Sequence, residues 1–198
     1  MRTFLEDSDR RSAVYRLLAR IWAEEPNESL TVLAAQPFAS IWGEAGGQVP
    51  DLHSASVRET LSERYCWLFV GPTEHLPLLQ SVWETGELVG DVASSVALYD
   101  SLIGFEQPWR FELLPDHLGN QLWRMSDILV KSALLRTSEE LLQAADLAGQ
   151  FFSTHVTWCR RLLDSIIERD GEGFYGTSAA VTIRFLEDEA ERLSEAGH

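Results

Sequence analysis

The sequence predicts an all-α fold, a single globular bundle of about eight to ten helices. Three observations predict it. Apolar residues recur at three- and four-residue intervals along most of the chain. No stretch sustains strand-like alternation between turn signals; "TSAAVTIRF" comes nearest, but the acidic "LEDEAERL" after it suits a helix better. Glycine and proline cut the chain into helix-length pieces. With 198 residues, 45% of them hydrophobic, the chain (residues 1–198) has the size and core of one ordinary domain.

The elements follow in order. Ala13, Val14, Leu17, Leu18, Ile21 and Trp22 mark one face of a helix from Ser8 to Ala23, closed by Pro26-Asn27. A short helix from Glu28 to Ala35 stops at Pro37, and Ala45 to Pro50 reads as a loop. Ser56 and Glu59 have the spacing of a capping box. The helix they open carries Val57, Leu61, Tyr65, Leu68 and Phe69, and Gly71-Pro72 halts it. The irregular "GPTEHLPLLQS" leads to a helix from Leu88 to Leu102, and "GFEQPWRFELLP" is a second loop.

The next helix is expected to begin at Pro115, where the missing N–H has no intrahelical partner to lose. Leu118, Leu122, Met125, Leu129 and Ser132 form its inner face. A second capping box, Thr137 with Glu140, opens one long helix whose face runs through Leu141, Ala145, Ala148, Phe152, His155, Cys159, Leu162 and Ile166. "RDGEGFYG" breaks it, and a last helix runs from Thr177 to Leu193.

Charge and composition exclude several functions. Sixteen basic against 31 acidic residues give a net charge of −15, where a nucleic-acid binder needs a basic stripe. No apolar run is long enough to span a bilayer. Arg10-Arg11 resembles a twin-arginine export signal. Arg16, Arg20, Glu24 and Glu25 interrupt the apolar stretch such a signal needs, so a cytoplasmic location is expected. Cys66 and Cys159 are isolated in apolar patterns and read as two buried thiols. His53, His75, His117, His155 and His198 show no metal-ligand spacing, so neither a metal nor another cofactor is expected.

Two features carry candidate chemistry. Asp116-His117 stands where a helix begins: helix-start chemistry, a recognition site, or a catalytic pair. No GxSxG elbow or phosphate-cradling loop supplies the partners that catalysis would need. The connection around Gly71 to Ser81 is unusually apolar, with Trp67, Leu68, Phe69, Leu76, Leu78, Leu79 and Trp83 on or beside it. It is either a buried connection packed on the core or the wall of a groove for a partner's hydrophobic segment.

The motifs in combination are more specific. Tyr65-x-x-Leu68-Phe69-Val70-Gly71-Pro72, Pro77-x-x-x-Ser81-Val82-Trp83, Pro115-Asp116-His117-Leu118, His155-x-x-Trp158 and Phe174-Tyr175 follow one another through most of the chain. In this order they resemble the TorD/DmsD/NarJ family of redox-enzyme maturation chaperones. The resemblance implies a non-catalytic cytoplasmic chaperone that binds the N-terminal, often twin-arginine, segment of a molybdenum-containing oxidoreductase. Such a chaperone assists cofactor insertion before export. By motif position the client-binding role falls on Tyr65, Leu68, Phe69, Gly71, Pro72, Pro77, Ser81, Trp83, Asp116 and His117.

The sequence departs from the family pattern at Leu78, where an aromatic is common. Gln80 and Gln121 stand where members often carry glutamates. An acidic surface with an apolar groove would complement a cationic, apolar signal, with Asp116 accepting hydrogen bonds from its basic head. Two alternatives share the page: an assembly factor of the NarJ type whose client is never exported, and a small hydrolase using Asp116 and His117. The chain is expected to be a monomer or a dimer exchanging helices at the "RDGEG" or "AGGQ" loops.

Overall fold

A computed structural model describes residues 2–34, 38–44, 48–88, 90–110 and 112–196. It is 72% helical, with no named strand among these residues. The helices are α1 (Arg2–Leu5), α2 (Ser8–Ala23), α3 (Phe38–Glu44), α4 (Ala55–Tyr65), α5 (Gln80–Thr85), α6 (Asp91–Ile103), α7 (Leu118–Ser132), α8 (Ser138–His155), α9 (Cys159–Asp170) and α10 (Phe174–Ala196). A 3-10 segment, Glu28–Ala34, precedes α3, and a π-helical turn, Cys66–Val70, extends α4. The expected stop at Pro37, most of the "AGGQ" loop and His198 lie outside the described residues.

The centre of the bundle is the crossing of α2 and α7. Along α7, Leu118, Leu122, Met125 and Leu129 are fully buried, and Ser132 with them, as the four-three spacing predicted. The two backbones approach so closely that a Cβ added to Gly119 would lie 2.6 Å from the Ala23 Cβ and 3.0 Å from the Ala19 carbonyl. Only glycine lets the first turn of α7 sit there.

On α2 the limits agree with the sequence, and Val14, Leu17, Leu18, Ile21 and Trp22 are buried as expected, but the buried face is wider than the expected one. Ala13 is exposed, while Arg11, Ser12 and Tyr15 are buried. Arg11 belongs inside because it meets Glu189 of α10 in a bidentate pair, Nε–Oε1 2.6 Å and Nη2–Oε2 2.8 Å, and donates to the Phe4 carbonyl. A planar, permanently charged fork suits such a buried carboxylate.

Several expected elements are corrected. Ser56 forms no capping box: α4 begins one residue before it, and Ser54 is the N-cap, without a side-chain cap bond. α7 begins at Leu118, not Pro115, and its N-cap is His117, whose Nδ1 accepts the Gly119 N–H at 3.1 Å. The helix expected from Leu88 starts at Asp91, and the unforeseen α5 precedes it. The long helix opened by the Thr137–Glu140 box, which is present with both reciprocal bonds, divides into α8 and α9. At the break the Cys159 N–H bonds to the Val156 carbonyl, while the Trp158 indole N–H takes the His155 carbonyl at 3.1 Å. An aromatic side chain thus replaces the helical donor. Cys66 is partly exposed beside Glu25, unlike the buried Cys159, whose thiol burial raises to about 12.

The elbow between α9 and α10 is organised by Asp170. Its Oδ2 accepts the Tyr175 and Gly176 N–H groups, both at 2.9 Å, so α10 starts at Phe174 rather than Thr177. Its Oδ1 receives Arg64 Nε of α4 at 2.6 Å. The chain turns so tightly that a Cβ at Gly176 would collide with the Gly171 carbonyl.

Gly119→Ala is expected to destabilise the fold. Overpacking at the α2–α7 contact costs about 1–3 kcal/mol or more, against a helix-propensity gain of about 1. A lowered urea midpoint with an unchanged m-value checks this; equal or higher stability would refute the close-contact argument.

Candidate functional site

The sequence-predicted residues occupy two connected regions. The first surrounds the π-helical turn. Its extra backbone residue per turn buries Leu68 and Phe69 while leaving Trp67 and Val70 53% and 64% exposed. π-turns of this kind recur at functional sites. The Tyr65, Phe69 and Tyr175 rings form a buried cluster, with Tyr65–Phe69 centroids 5.0 Å and Phe69–Tyr175 5.4 Å apart. The Tyr65 hydroxyl donates to the Trp22 carbonyl at 3.1 Å, and burial raises its pKa. These residues shape the turn from within.

The Gly71–Leu79 connection then folds back onto the core. The Leu76 N–H donates to the Leu68 carbonyl at 2.7 Å, and the Leu76 and Leu78 side chains are buried. These leucines therefore form a buried connection and not a groove wall. Within it Glu74 holds a left-handed φ of 56°, a costly conformation for a non-glycine residue, and its carbonyl accepts from Arg169. Pro72 is exposed; Gly71, Pro77 and Trp83 are half-buried. The Trp83 indole N–H is held by the Pro77 carbonyl at 2.7 Å.

The second region centres on Asp116-His117. Leu79 and His117 form an isolated antiparallel bridge: Gln80 N–H reaches the Asp116 carbonyl and Leu118 N–H the Leu78 carbonyl, at 3.2 and 2.9 Å. Asp116 is fully buried, and its Oδ2 accepts the Ser81 N–H at 2.9 Å. It thus supplies from a distant segment the cap that α5 lacks locally. Through this oxygen the carboxylate binds the chain's own backbone. Its other oxygen, Oδ1, and the Ser81 hydroxyl are buried without a hydrogen-bond partner. An unused buried acceptor is costly, so this junction is closed but not fully satisfied.

Behind it lies a polar network that single-residue reading missed. The Trp158 indole can only donate, so the Gln121 oxygen must receive it, at 2.8 Å. Gln121 Nε2 then donates to the Gln80 oxygen at 2.7 Å, and Gln80 Nε2 donates to the Thr154 carbonyl and to Glu84. The Gln80 oxygen also faces His155 Nδ1 at 3.0 Å, so that nitrogen carries the proton and Nε2, 3.1 Å from Ser95 Oγ, is the acceptor. Gln80 and Gln121, the two departures from the family pattern, are therefore partners of each other. Arg124 closes the far side, with its guanidinium on Asp100 of α6 and on the Pro115 carbonyl.

His117 is the neutral tautomer protonated at Nε2, because Nδ1 is occupied as an acceptor. Burial lowers its pKa to about 4, with Asp116 opposing the shift. Desolvation likewise lowers His155, against Glu84. The geometry brings Asp116 to Ser81 and His117 to Gly119, with no nucleophile–base pair between them. Among the described residues no group of three or more His, Cys, Asp or Glu side chains is placed to hold a metal.

Comparison with known families decides the class. The family model described as "Nitrate reductase delta subunit" matches residues 32–164, about two thirds of the chain. The chain belongs to that family. No curated protein matches it. The nitrate reductase delta subunit family comprises chaperones of the NarJ/TorD type that assist molybdoenzyme assembly, and it is not a catalytic family. The matched span contains the π-turn, the Gly71–Ser81 connection and the Asp116-His117 junction, but neither α2 nor α10. Among the described residues no helix is long and apolar enough to cross a membrane.

The depressed pKa of His117 makes stability pH-dependent. The unfolded chain takes up this proton near pH 6.5 and the folded one only near 4, so stability is present above 6.5 and lost as pH falls towards 4. At most about 3 kcal/mol is involved. His117→Asn keeps a capping acceptor but does not titrate. Its urea midpoint should fall less than the parent's between these pH values, and parallel curves would exclude His117 as a source of the dependence.

Proposed function

We propose that this chain binds the N-terminal segment of a molybdoenzyme catalytic subunit and holds that subunit for cofactor insertion, before export where the segment is a twin-arginine signal. The observation that supports this is the position of the incompletely satisfied Asp116–Ser81 junction. It lies beneath the strained Gly71–Ser81 connection, inside the span matched to a family of assembly chaperones. The site divides by accessibility. Gly71, Pro72, Pro77 and Trp83 offer surface to a client, as do the neighbouring Trp67 and Val70. Tyr65, Leu68, Phe69, Ser81, Asp116 and His117 hold that surface in shape, and the spare oxygen of Asp116 becomes available when the connection lifts.

A cationic, apolar segment suits this arrangement. The net charge of −15 steers it, while apolar contact at about 25 cal/mol per Å² holds it. Surface charge is screened beyond about 8 Å at physiological salt, so the apolar half of the segment dominates affinity. The nitrate reductase delta subunit match favours a second reading, in which the client is a nitrate-reductase-type subunit that is never exported. Both place the protein in the cytoplasm, and the bound client N-terminus distinguishes them.

Capture of the tagged chain from anaerobically grown host cells is expected to enrich a molybdoenzyme catalytic subunit that retains its N-terminal segment. The Asp116→Ala, His117→Ala double variant should lose it. Absence of any molybdoenzyme subunit from the parent's capture would overturn the reading. With the corresponding peptide, replacing paired arginines by lysines should leave binding measurable, whereas replacing its apolar residues by serine should weaken it about tenfold or more. Isothermal titration reads both; complete loss on the lysine change would refute the dominance of apolar contact.

A further inference from the structure

A cavity of about 280 Å³ lies outside the matched span, between the start of α2 and the C-terminal half of α10. Its floor is apolar: Val14, Val181 and Phe185, the last fixed edge-on against Tyr15 at 4.7 Å. Arg10, Arg184 and Arg192 line it as well. The inner wall is Arg11 paired with Glu189, whose charges cancel. Outside that pair three guanidinium groups stand against two carboxylates, Asp7 and Asp188, so the lining is net positive.

That is anomalous for this chain. Its formal charge is −15, and four of its 16 basic residues converge on one concave surface. Guanidinium forks match the oxygens of phosphates and carboxylates, and an apolar floor matches a ring or hydrocarbon body.

We propose that this cavity binds a small organic anion, a phosphate or carboxylate carried on an apolar ring-sized body. The anion meets Arg10 and Arg192, and the body rests on Phe185, Val14 and Val181. The ligand bridges α2 and α10, the two helices already clamped by Arg11 and Glu189, and so stiffens a contact outside the family's matched segment. The proposal stands independently of client binding.

The test is a titration of the full chain, followed by amide chemical shifts, with phenyl phosphate and benzoate as organic anions. Inorganic phosphate and benzylamine serve as the anion without a body and the body with opposite charge. Saturable shifts at Val181 and Phe185 with phenyl phosphate, benzoate or both are expected, and which of the two binds tighter identifies the head group. Inorganic phosphate should bind at least about tenfold more weakly, and Arg10→Gln, a change at an exposed side chain, should weaken the organic anions by about tenfold. Four results would overturn the proposal: no saturable shift with either organic anion, equal affinity for inorganic phosphate, tighter binding of benzylamine, or affinity unmoved in both Arg10→Gln and Arg192→Gln.

Discussion

Everything at the candidate site hangs from the place where α7 enters the bundle, and that place is set by the absence of one methyl group. Because Gly119 lies against Ala19 and Ala23, the first turn of α7 is fixed relative to α2. From that turn His117 caps the helix, Asp116 reaches α5, and Gln121 and Arg124 reach towards α9 and α6. A close backbone contact is stiffer than a side-chain contact, since it has no rotamers to yield. The polar groups around it can therefore be positioned within hydrogen-bond tolerances although they come from five separate segments.

That geometry separates two jobs that a single motif reading merges. Asp116 and His117 look like functional residues because they are ionisable and adjacent. In the fold one is a remote helix cap and the other a local one, and both are shielded from water. Their contribution in the fold is to hold the Gly71–Ser81 connection in a defined but incompletely satisfied state. The residues able to touch a partner are proline, glycine and aromatic side chains, which offer surface with little rotamer entropy to lose. In the proposed reading specificity comes from shape and apolar fit, in keeping with a family whose task is assembly.

Legibility followed the range of the forces. The limits of α2, the Thr137–Glu140 box and the inner face of α7 depend on neighbours within four residues, and all could be read. The burial of Arg11 depends on Glu189, 178 positions away, and the widening of the buried face of α2 follows from it. The division of α8 from α9 depends on which donor reaches the His155 carbonyl, and α5 on a cap from another loop; neither leaves a local signal. Ser56 was a false signal of the same origin, since its spacing to Glu59 is right but the helix is capped two residues earlier, at Ser54. At the site, motif order picked out the segments around Ser81 and Asp116, which the fold brings into contact. It could not assign accessibility, because burial is a property of the assembled bundle.

The Asp170 elbow has a consequence for how the molecule could rearrange. One carboxylate holds two amide groups of the incoming helix and the guanidinium of Arg64 from another helix, within a turn that tolerates no side chain at Gly176. Straightening the elbow, as helix exchange between copies would demand, releases all of these at once. Such an opening is concerted, because the three hydrogen bonds meet on one carboxylate. The hinge is thus also its own latch, and the acidity that gives this protein its charge is here put to mechanical use.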